Sequence, residues 1–167
     1  LIKCNPSVKE LSDRDALRKA LSDGFVDYVA TDHAPHLLDG KSNDYMDCPS
    51  GMPSVQHTLL VLLELVRDGV YQLNDLPYYL SHKVADRFKI IDRGYVREGY
   101  WADCVLVDLE NKQTVTKDNT SYFCGWSPFE GDTFNSKVIS TFVNGRLAYN
   151  EGRILENNLG VQLEFDR

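Results

Sequence analysis

The stretch of sequence that decides the fold is Val26-Asp27-Tyr28-Val29-Ala30-Thr31-Asp32-His33-Ala34-Pro35-His36. Its first five residues alternate and are rich in β-formers, so they predict a short strand, and the Ala34-Pro35 step disfavours any continuation of it. Asp32 therefore lies where a strand becomes a loop. In parallel α/β folds, sites are assembled at the carboxyl ends of strands, because the sheet holds the reactive loops in place. The alternative interpretation is an Asp that caps a turn beside a His without a chemical role.

The segments around this strand predict an α/β arrangement. Residues 1–4 predict an earlier strand, and Ser12-Asp13 begins a helix with apolar residues at helical spacing, which Gly24 ends. Strand, helix and strand follow each other through short links, which is the βαβ pattern of a parallel sheet. Residues 31–53 then form a long loop rich in Gly, Asn, Asp, Ser and Pro. Loops of this length are often functional.

Two further helices are predicted after the loop. The first covers residues 54–67, with Gly69 just beyond its end, and the second covers residues 76–89. Each contains one histidine, His57 and His82, without a partner at metal-ligand spacing. We expect both histidines to have structural roles.

The chain becomes β-rich after Arg93. Strands are predicted at residues 104–109, 113–115, 137–143 and 146–149. Asn144-Gly145 lies between the last two, and an Asn-Gly between β-formers is a strong hairpin signal. We therefore expect a boundary near residues 90–94, with an α/β part at 1–92 and a β-rich part at 93–167.

Composition narrows the possible partners. The 167 residues are 43% hydrophobic and 26% charged, which is typical of a globular domain. The net charge of −7 and the pI near 5.0, without any basic run, argue against nucleic acid or an anionic membrane as a partner. The four cysteines are scattered without a Cys-x-x-Cys pair, so we expect free thiols and a cytoplasmic protein.

Three motifs together resemble one enzyme family. The segment from Asp32 to His36 is similar to the signature of dihydroorotases, cyclic-amide hydrolases of the amidohydrolase superfamily. Lys3-Cys4-Asn5-Pro6 resembles the preceding strand end of that family, and Pro49-Ser50-Gly51-Met52-Pro53 resembles its substrate-contacting loop. Hydantoinases (dihydropyrimidinases) and allantoinases, which are related, also carry Asp-His here but usually lack an imidazole at the position of His36. That residue favours dihydroorotase.

The resemblance also implies an architecture. It predicts the C-terminal part of a (β/α)8 TIM-like barrel, followed by strands of a small β-sandwich domain. Trp126-Ser127-Pro128-Phe129 and Val143-Asn144-Gly145 resemble the sandwich portion. On this interpretation the chain is a fragment whose missing N-terminal part completes the barrel, and we expect the fragment alone to be inactive. We call the longer protein the parent protein.

The resemblance assigns roles to five residues. Asp32 would be a zinc ligand and the general acid/base, with one or two zinc ions held mainly by ligands upstream of this chain. Asn5 and His36 would bind the carboxylate of the small-molecule substrate, because an anion requires hydrogen-bond donors. Ser50 and Gly51 would contact the substrate through their main chain, although by themselves they could equally be a turn in a mobile loop.

His33 has no assigned role, and it could orient either Asp32 or the loop. The predicted reaction is the interconversion of N-carbamoyl-L-aspartate and L-dihydroorotate in pyrimidine biosynthesis. A non-catalytic dihydroorotase-like subunit is the third possibility, and a homodimer is expected by family analogy only.

Overall fold

The structure is a computed structural model that describes residues 1–155 and 160–166. It is a mixed structure in which helices precede strands. The helical elements are α1 (Leu11–Ser22), α2 (Leu38–Lys41), α3 (Thr58–Arg67), α4 (Asp75–Pro77), a π-helical segment (Tyr78–His82), α5 (Lys83–Phe88) and a 3-10 turn (Lys117–Asn119). The strands are β1 (Cys104–Asp108), β2 (Gln113–Thr114), β3 (Thr133–Phe134), β4 (Lys137–Val143), β5 (Arg146–Asn150) and β6 (Arg153–Ile154).

The first two long helices agree with the predictions. Helix α1 begins where Glu10 donates its backbone N–H to the Asp13 carboxylate, and it is followed by Gly24 at φ +80°. Helix α3 begins at Thr58, four residues later than predicted, because residues 55–57 form a turn. Its buried side chains Leu60, Leu62 and Leu63 form one apolar face.

The two strands predicted at residues 1–4 and 26–30 are wrong. Neither segment is assigned to a strand, because no described segment forms a ladder with either of them. Isolated hydrogen bonds hold both segments instead. The Lys3 carbonyl accepts the Gly51 N–H at 2.7 Å, and the Val29 N–H donates to the Tyr79 carbonyl at 3.1 Å.

The helix predicted at residues 76–89 is present, but its middle, Tyr78–His82, is a π-helix. In the π-helical segment the Lys83 N–H bonds to the Tyr78 carbonyl, five residues back. The next carbonyl, that of Tyr79, accepts the N–H of Val29 at 3.1 Å. This segment therefore anchors the extended chain that leads to Asp32.

The β-rich part forms two antiparallel sheets. One contains four strands in the order β1-β4-β5-β6, and the other pairs β2 with β3. The predicted hairpin is confirmed, since Asn144 (φ 52°) and Gly145 (φ 77°) join β4 to β5. Positive φ at both residues is the conformation of a type I′ turn. Near the end of the chain, Phe165 forms an isolated antiparallel bridge with Ile90.

The main apolar core joins helices to the smaller sheet. It contains nine buried side chains: Leu21, Leu60, Leu62, Leu63, Tyr71, Leu76, Tyr79, Val115 and Phe134. A second buried cluster of Tyr122, Cys124 and Trp126 packs against Met52. The second cluster lies directly beneath the loop that follows Asp32, so it supports the candidate site.

The four cysteines are free thiols, as predicted: Cys48 and Cys124 are buried, and Cys4 and Cys104 are partly exposed. Among the described residues, none of the helices has the length and apolar character needed to cross a membrane.

Candidate functional site

Asp32 is held by its neighbours on both sides. The Ser54 hydroxyl donates to the Thr31 carbonyl at 2.6 Å, and the Ala34 N–H donates to the Met52 carbonyl at 3.1 Å. Between these anchors Asp32 has φ +43°, in the left-handed region that a non-glycine residue adopts only occasionally. Backbone conformations of this kind persist where the surrounding structure determines them, and they cluster at functional sites.

The Asp32 carboxylate is available to a ligand as far as the described part of the chain is concerned. The residue is exposed, and its side chain makes no hydrogen bond or ion pair with any residue that the structure describes. An anchored main chain therefore presents an available carboxylate. A metal ion or a substrate proton requires this combination of a fixed position and free lone pairs.

His33 anchors the end of the loop at residues 54 and 55 rather than orienting Asp32. Its Nδ1 accepts the backbone N–H of Ser54 at 3.0 Å and that of Val55 at 3.3 Å. Because Nδ1 accepts, the ring is neutral and carries its proton on Nε2. The ring also packs against Tyr122, with 5.2 Å between the centroids. Of the two roles considered for His33 from sequence, the geometry favours loop anchoring.

We predict different effects for two substitutions of His33. Asparagine keeps an acceptor near the position of Nδ1, whereas leucine leaves the Ser54 N–H unpaired, at a cost of about 1–3 kcal/mol. Hydrogen exchange of the Ser54 amide in the parent protein should therefore accelerate about tenfold or more in His33→Leu. It should change much less in His33→Asn. Equal exchange rates of the Ser54 amide in the two variants would show that His33 does not anchor the loop.

The predicted substrate loop packs closely against the segment that follows Asp32. Gly51 has φ +121°, and a Cβ placed there would lie 2.4 Å from the Ala34 Cβ and 3.5 Å from the His36 Cδ2. The His36 Nε2 donates to the Ser50 carbonyl at 2.9 Å, so that nitrogen must carry a proton. The structure thus brings three of the predicted site residues together: His36, Ser50 and Gly51.

Asn5 reaches the same region through its neighbour Lys3. The Lys3 carbonyl accepts the Gly51 N–H, and its ammonium donates to the Tyr45 and Cys48 carbonyls, both at 2.6 Å. Asn5 itself is exposed, and its side chain makes no hydrogen bond with any described residue. The three motifs of the sequence analysis therefore meet through hydrogen bonds between their main chains.

A buried lysine in this region was missed by sequence reasoning. Lys41 is only 3% exposed, and its ammonium donates to the Pro49 and Gly51 carbonyls at 2.8 and 2.9 Å. Lysine is almost always exposed, so a single lysine in a polar loop carries no signal of burial. The short helix α2, which positions Lys41, was also not predicted.

Two residues of the second buried cluster form hydrogen bonds with the segments around the candidate site. The Trp126 Nε1 donates to the His36 carbonyl at 2.8 Å, and the Tyr122 hydroxyl accepts the Gln56 N–H at 2.8 Å. Burial raises the pKa of the Tyr122 phenol, which therefore stays protonated. Trp126 was assigned from sequence only to the sandwich portion of the family. Its contact with the loop that follows Asp32 was not predicted.

His57 is a packed residue, as predicted. It is 1% exposed and stacks on Phe134 with 5.9 Å between the ring centroids. Its Nδ1 lies 3.3 Å from the Tyr122 hydroxyl and 3.4 Å from that of Ser127, and among the described residues its Nε2 has no partner. Burial lowers the pKa of His57 below the ordinary value of 6.5, so the ring is neutral at pH 7.

The lowered pKa predicts how stability depends on pH. Below pH 6.5 the unfolded chain takes up a proton at His57 while the folded chain does not, so stability is fully present above that pH and falls below it. We expect the melting temperature of the parent protein to fall less between pH 7.5 and pH 5.5 in His57→Gln than in the wild type. Thermal unfolding at the two pH values measures this difference. Parallel decreases in both proteins would mean that His57 does not contribute.

The described residues do not form a metal site by themselves. In the part of the chain that the structure describes, no group of three or more His, Cys, Asp or Glu side chains could hold a metal ion. Protein zinc sites use three or four such ligands. Asp32 fits one ligand position, because its carboxylate is exposed, anchored and unpaired. A zinc ion bound to Asp32 would therefore require further ligands from outside the described residues.

Comparison with known proteins places these segments in one family. The Amidohydrolase family profile matches residues 4–148. The dihydroorotase of Clostridium acetobutylicum is 37% identical over 150 residues, which are 89% of this chain and 35% of that protein. The dihydroorotase of Bacillus subtilis is 32% identical over 155 residues, or 92% of this chain and 36% of that protein. The chain thus spans about a third of the length of these relatives.

Solved structures agree with the sequence comparison. The dihydropyrimidinase of Brevibacillus agri NCHU1002 superposes with a TM-score of 0.83 at 27% identity, over 92% of this chain and 34% of that one. The L-hydantoinase (dihydropyrimidinase) of Arthrobacter aurescens has the same TM-score at 24% identity and shows a shared fold. Since the family profile covers most of its length and the fold agrees, this chain belongs to the amidohydrolase family.

Proposed function

We propose that this chain is the C-terminal portion of a zinc-dependent dihydroorotase. The observation that carries the proposal is the meeting of three motif segments through the Lys3–Gly51, Ala34–Met52 and His36–Ser50 hydrogen bonds. Its support from the comparisons is the similarity to the dihydroorotases of Clostridium acetobutylicum and Bacillus subtilis.

The similarity to the amidohydrolase family supports a proposed architecture. Residues 1–92 would belong to the end of a TIM-like barrel, and residues 93–167 to a small β-sandwich domain. Exposed apolar side chains such as Val8, Leu11 and Leu17, each at least 65% exposed, are consistent with further covering structure in a parent protein. A homodimer and a cytoplasmic location remain predictions.

Asp32 has the central role in the proposed reaction. Bound zinc would polarise the amide carbonyl of the ring and lower the pKa of water. As the water oxygen attacks that carbonyl, Asp32 takes up the water proton, and it then donates this proton to the departing ring nitrogen. The C–N bond of the ring breaks and N-carbamoyl-L-aspartate is released. Its unpaired carboxylate and fixed main chain suit Asp32 for this proton transfer.

The substrate carboxylate would lie against Asn5 and His36. Because Nε2 of His36 donates to the Ser50 carbonyl, the ring faces the substrate with Nδ1. Ser50 and Gly51 would contact the substrate ring through their main chain.

A hydantoinase or dihydropyrimidinase is the alternative function. Its support is the structural similarity to the Brevibacillus agri dihydropyrimidinase. The two functions differ in the substrate, since dihydroorotate has a carboxylate that dihydrouracil lacks. The feature that favours dihydroorotate is the imidazole of His36 beside the proposed substrate loop.

Substrate preference of the parent protein tests the proposal. A site that hydrogen-bonds a substrate group rejects analogues lacking that group by roughly 10⁴-fold. We therefore expect kcat/KM for dihydroorotate to exceed that for dihydrouracil by roughly 10³-fold or more. Comparable or higher values with dihydrouracil or hydantoin would assign the chain to the alternative.

A further inference from the structure

Lys41 is a buried cation that bonds only to main-chain carbonyls. It is 3% exposed, and its ammonium donates to the carbonyls of Pro49 and Gly51. No carboxylate among the described residues forms an ion pair with it. A charge buried in this way is costly unless hydrogen bonds compensate it, so its position needs a structural or functional reason.

The neighbouring main-chain carbonyls also accept hydrogen bonds from side chains. The Cys48 carbonyl accepts from the Lys3 ammonium at 2.6 Å, and the Ser50 carbonyl accepts from the His36 Nε2 at 2.9 Å. All four carbonyls of residues 48–51, which we call the carbonyl row, therefore bond to side-chain donors. No helix or strand fixes the conformation of this segment. The donors fix it instead.

The carbonyl row determines what the loop presents to a ligand. The Gly51 N–H is bonded to the Lys3 carbonyl, whereas the Ser50 N–H has no acceptor among the described residues and belongs to a partly exposed residue. Lys41 bonds to the Pro49 carbonyl, which belongs to the same peptide group as the Ser50 N–H, and to the Gly51 carbonyl. It therefore fixes the peptide group that carries the available Ser50 N–H.

We propose that Lys41 is a positioning residue, which aims the Ser50 peptide at the substrate through the carbonyl row. This inference rests on the proposed function, because it takes the Ser50-Gly51 main chain as a substrate contact. Lys41 is covered by the loop that it holds and acts only through that loop. Its loss should weaken substrate binding in the ground state and the transition state alike, which raises KM while kcat changes little.

The test compares Lys41→Met with Lys112→Met in the parent protein. Lys112 is exposed and makes no hydrogen bond with a described residue, so it controls for the loss of one positive charge. The readouts are zinc content, kcat and KM for dihydroorotate, and hydrogen exchange of the Gly51 amide. In Lys41→Met we expect KM to rise about tenfold, kcat to stay within about threefold and Gly51 exchange to accelerate about tenfold. Lys112→Met should match the wild type.

Each outcome has a defined meaning. Unchanged KM in a folded, zinc-containing Lys41→Met protein overturns the inference, even if Gly51 exchange accelerates. If Lys41→Met does not fold, Lys41→Gln, which keeps an NH2 donor on a shorter side chain without the charge, decides the question: a KM increase of threefold or more supports the inference, and a smaller increase overturns it. A wild-type parent protein that does not hydrolyse dihydroorotate refutes the proposed function instead, whatever the exchange rates.

Discussion

Replacing Asp32 with asparagine should abolish most of the activity of the parent protein. The substitution keeps the size of the side chain but removes its ability to take up and return a proton. General acid/base groups contribute about 10²–10⁴-fold to rate, so we expect kcat to fall at least that far. Loss of a proposed zinc ligand should also lower the zinc content. Steady-state kinetics and metal analysis of the same preparations measure both effects.

Asp39→Asn is the matched control for this substitution. Asp39 lies in helix α2, between Asp32 and the predicted substrate loop, is exposed, and makes no side-chain hydrogen bond with a described residue. It should keep kcat within about twofold, since surface substitutions away from a site have small effects. If Asp32→Asn keeps kcat within a few-fold of Asp39→Asn, Asp32 is not the acid/base group.

Replacing Gly51 with alanine should have the second-largest effect. The new Cβ would lie 2.4 Å from the Ala34 Cβ, and φ of +121° is unfavourable for any L-residue with a side chain. Overpacking costs about 1–3 kcal/mol and backbone strain a similar amount, so the loop should move. We expect lower thermal stability of the parent protein and a kcat/KM for dihydroorotate reduced by about tenfold or more.

Two further variants separate the effect of the steric clash from the effect of backbone strain. Gly24→Ala also has positive φ, but its Cβ meets nothing within 4 Å, so it reports the backbone strain without a clash. The second variant combines Gly51→Ala with Ala34→Gly, which removes the atom nearest to the new Cβ. This double variant should recover part of the activity lost in Gly51→Ala. Gly51→Ala protein with the stability and activity of Gly24→Ala would refute the close-packing argument.

The local elements of this fold were largely predictable from the sequence. Apolar residues at helical spacing marked α1 and α3, and Asn144-Gly145 marked the turn between β4 and β5, because these signals depend on neighbouring residues alone. The strands predicted at residues 1–4 and 26–30 failed because a strand also requires a partner. Alternation in sequence indicates extended backbone, but it does not supply a ladder.

The candidate site was predictable only in part. The motifs identified Asp32, His36 and Gly51, and their chemical types indicated what each could do. The residues that hold them could not be found in the same way. Lys41 lies in a polar stretch of sequence that gave no sign of its burial, and Trp126 bonds to the His36 carbonyl from 90 residues away. Contacts of this kind are set by tertiary packing, which no local pattern encodes.

The most direct test of the central claim is zinc content together with dihydroorotate hydrolysis in the wild-type parent protein. We expect the purified protein to contain one or two zinc ions per chain and to interconvert dihydroorotate and N-carbamoyl-L-aspartate. A protein that binds no metal and hydrolyses no cyclic amide would contradict the central claim, and the chain would then belong to a non-catalytic relative of the family.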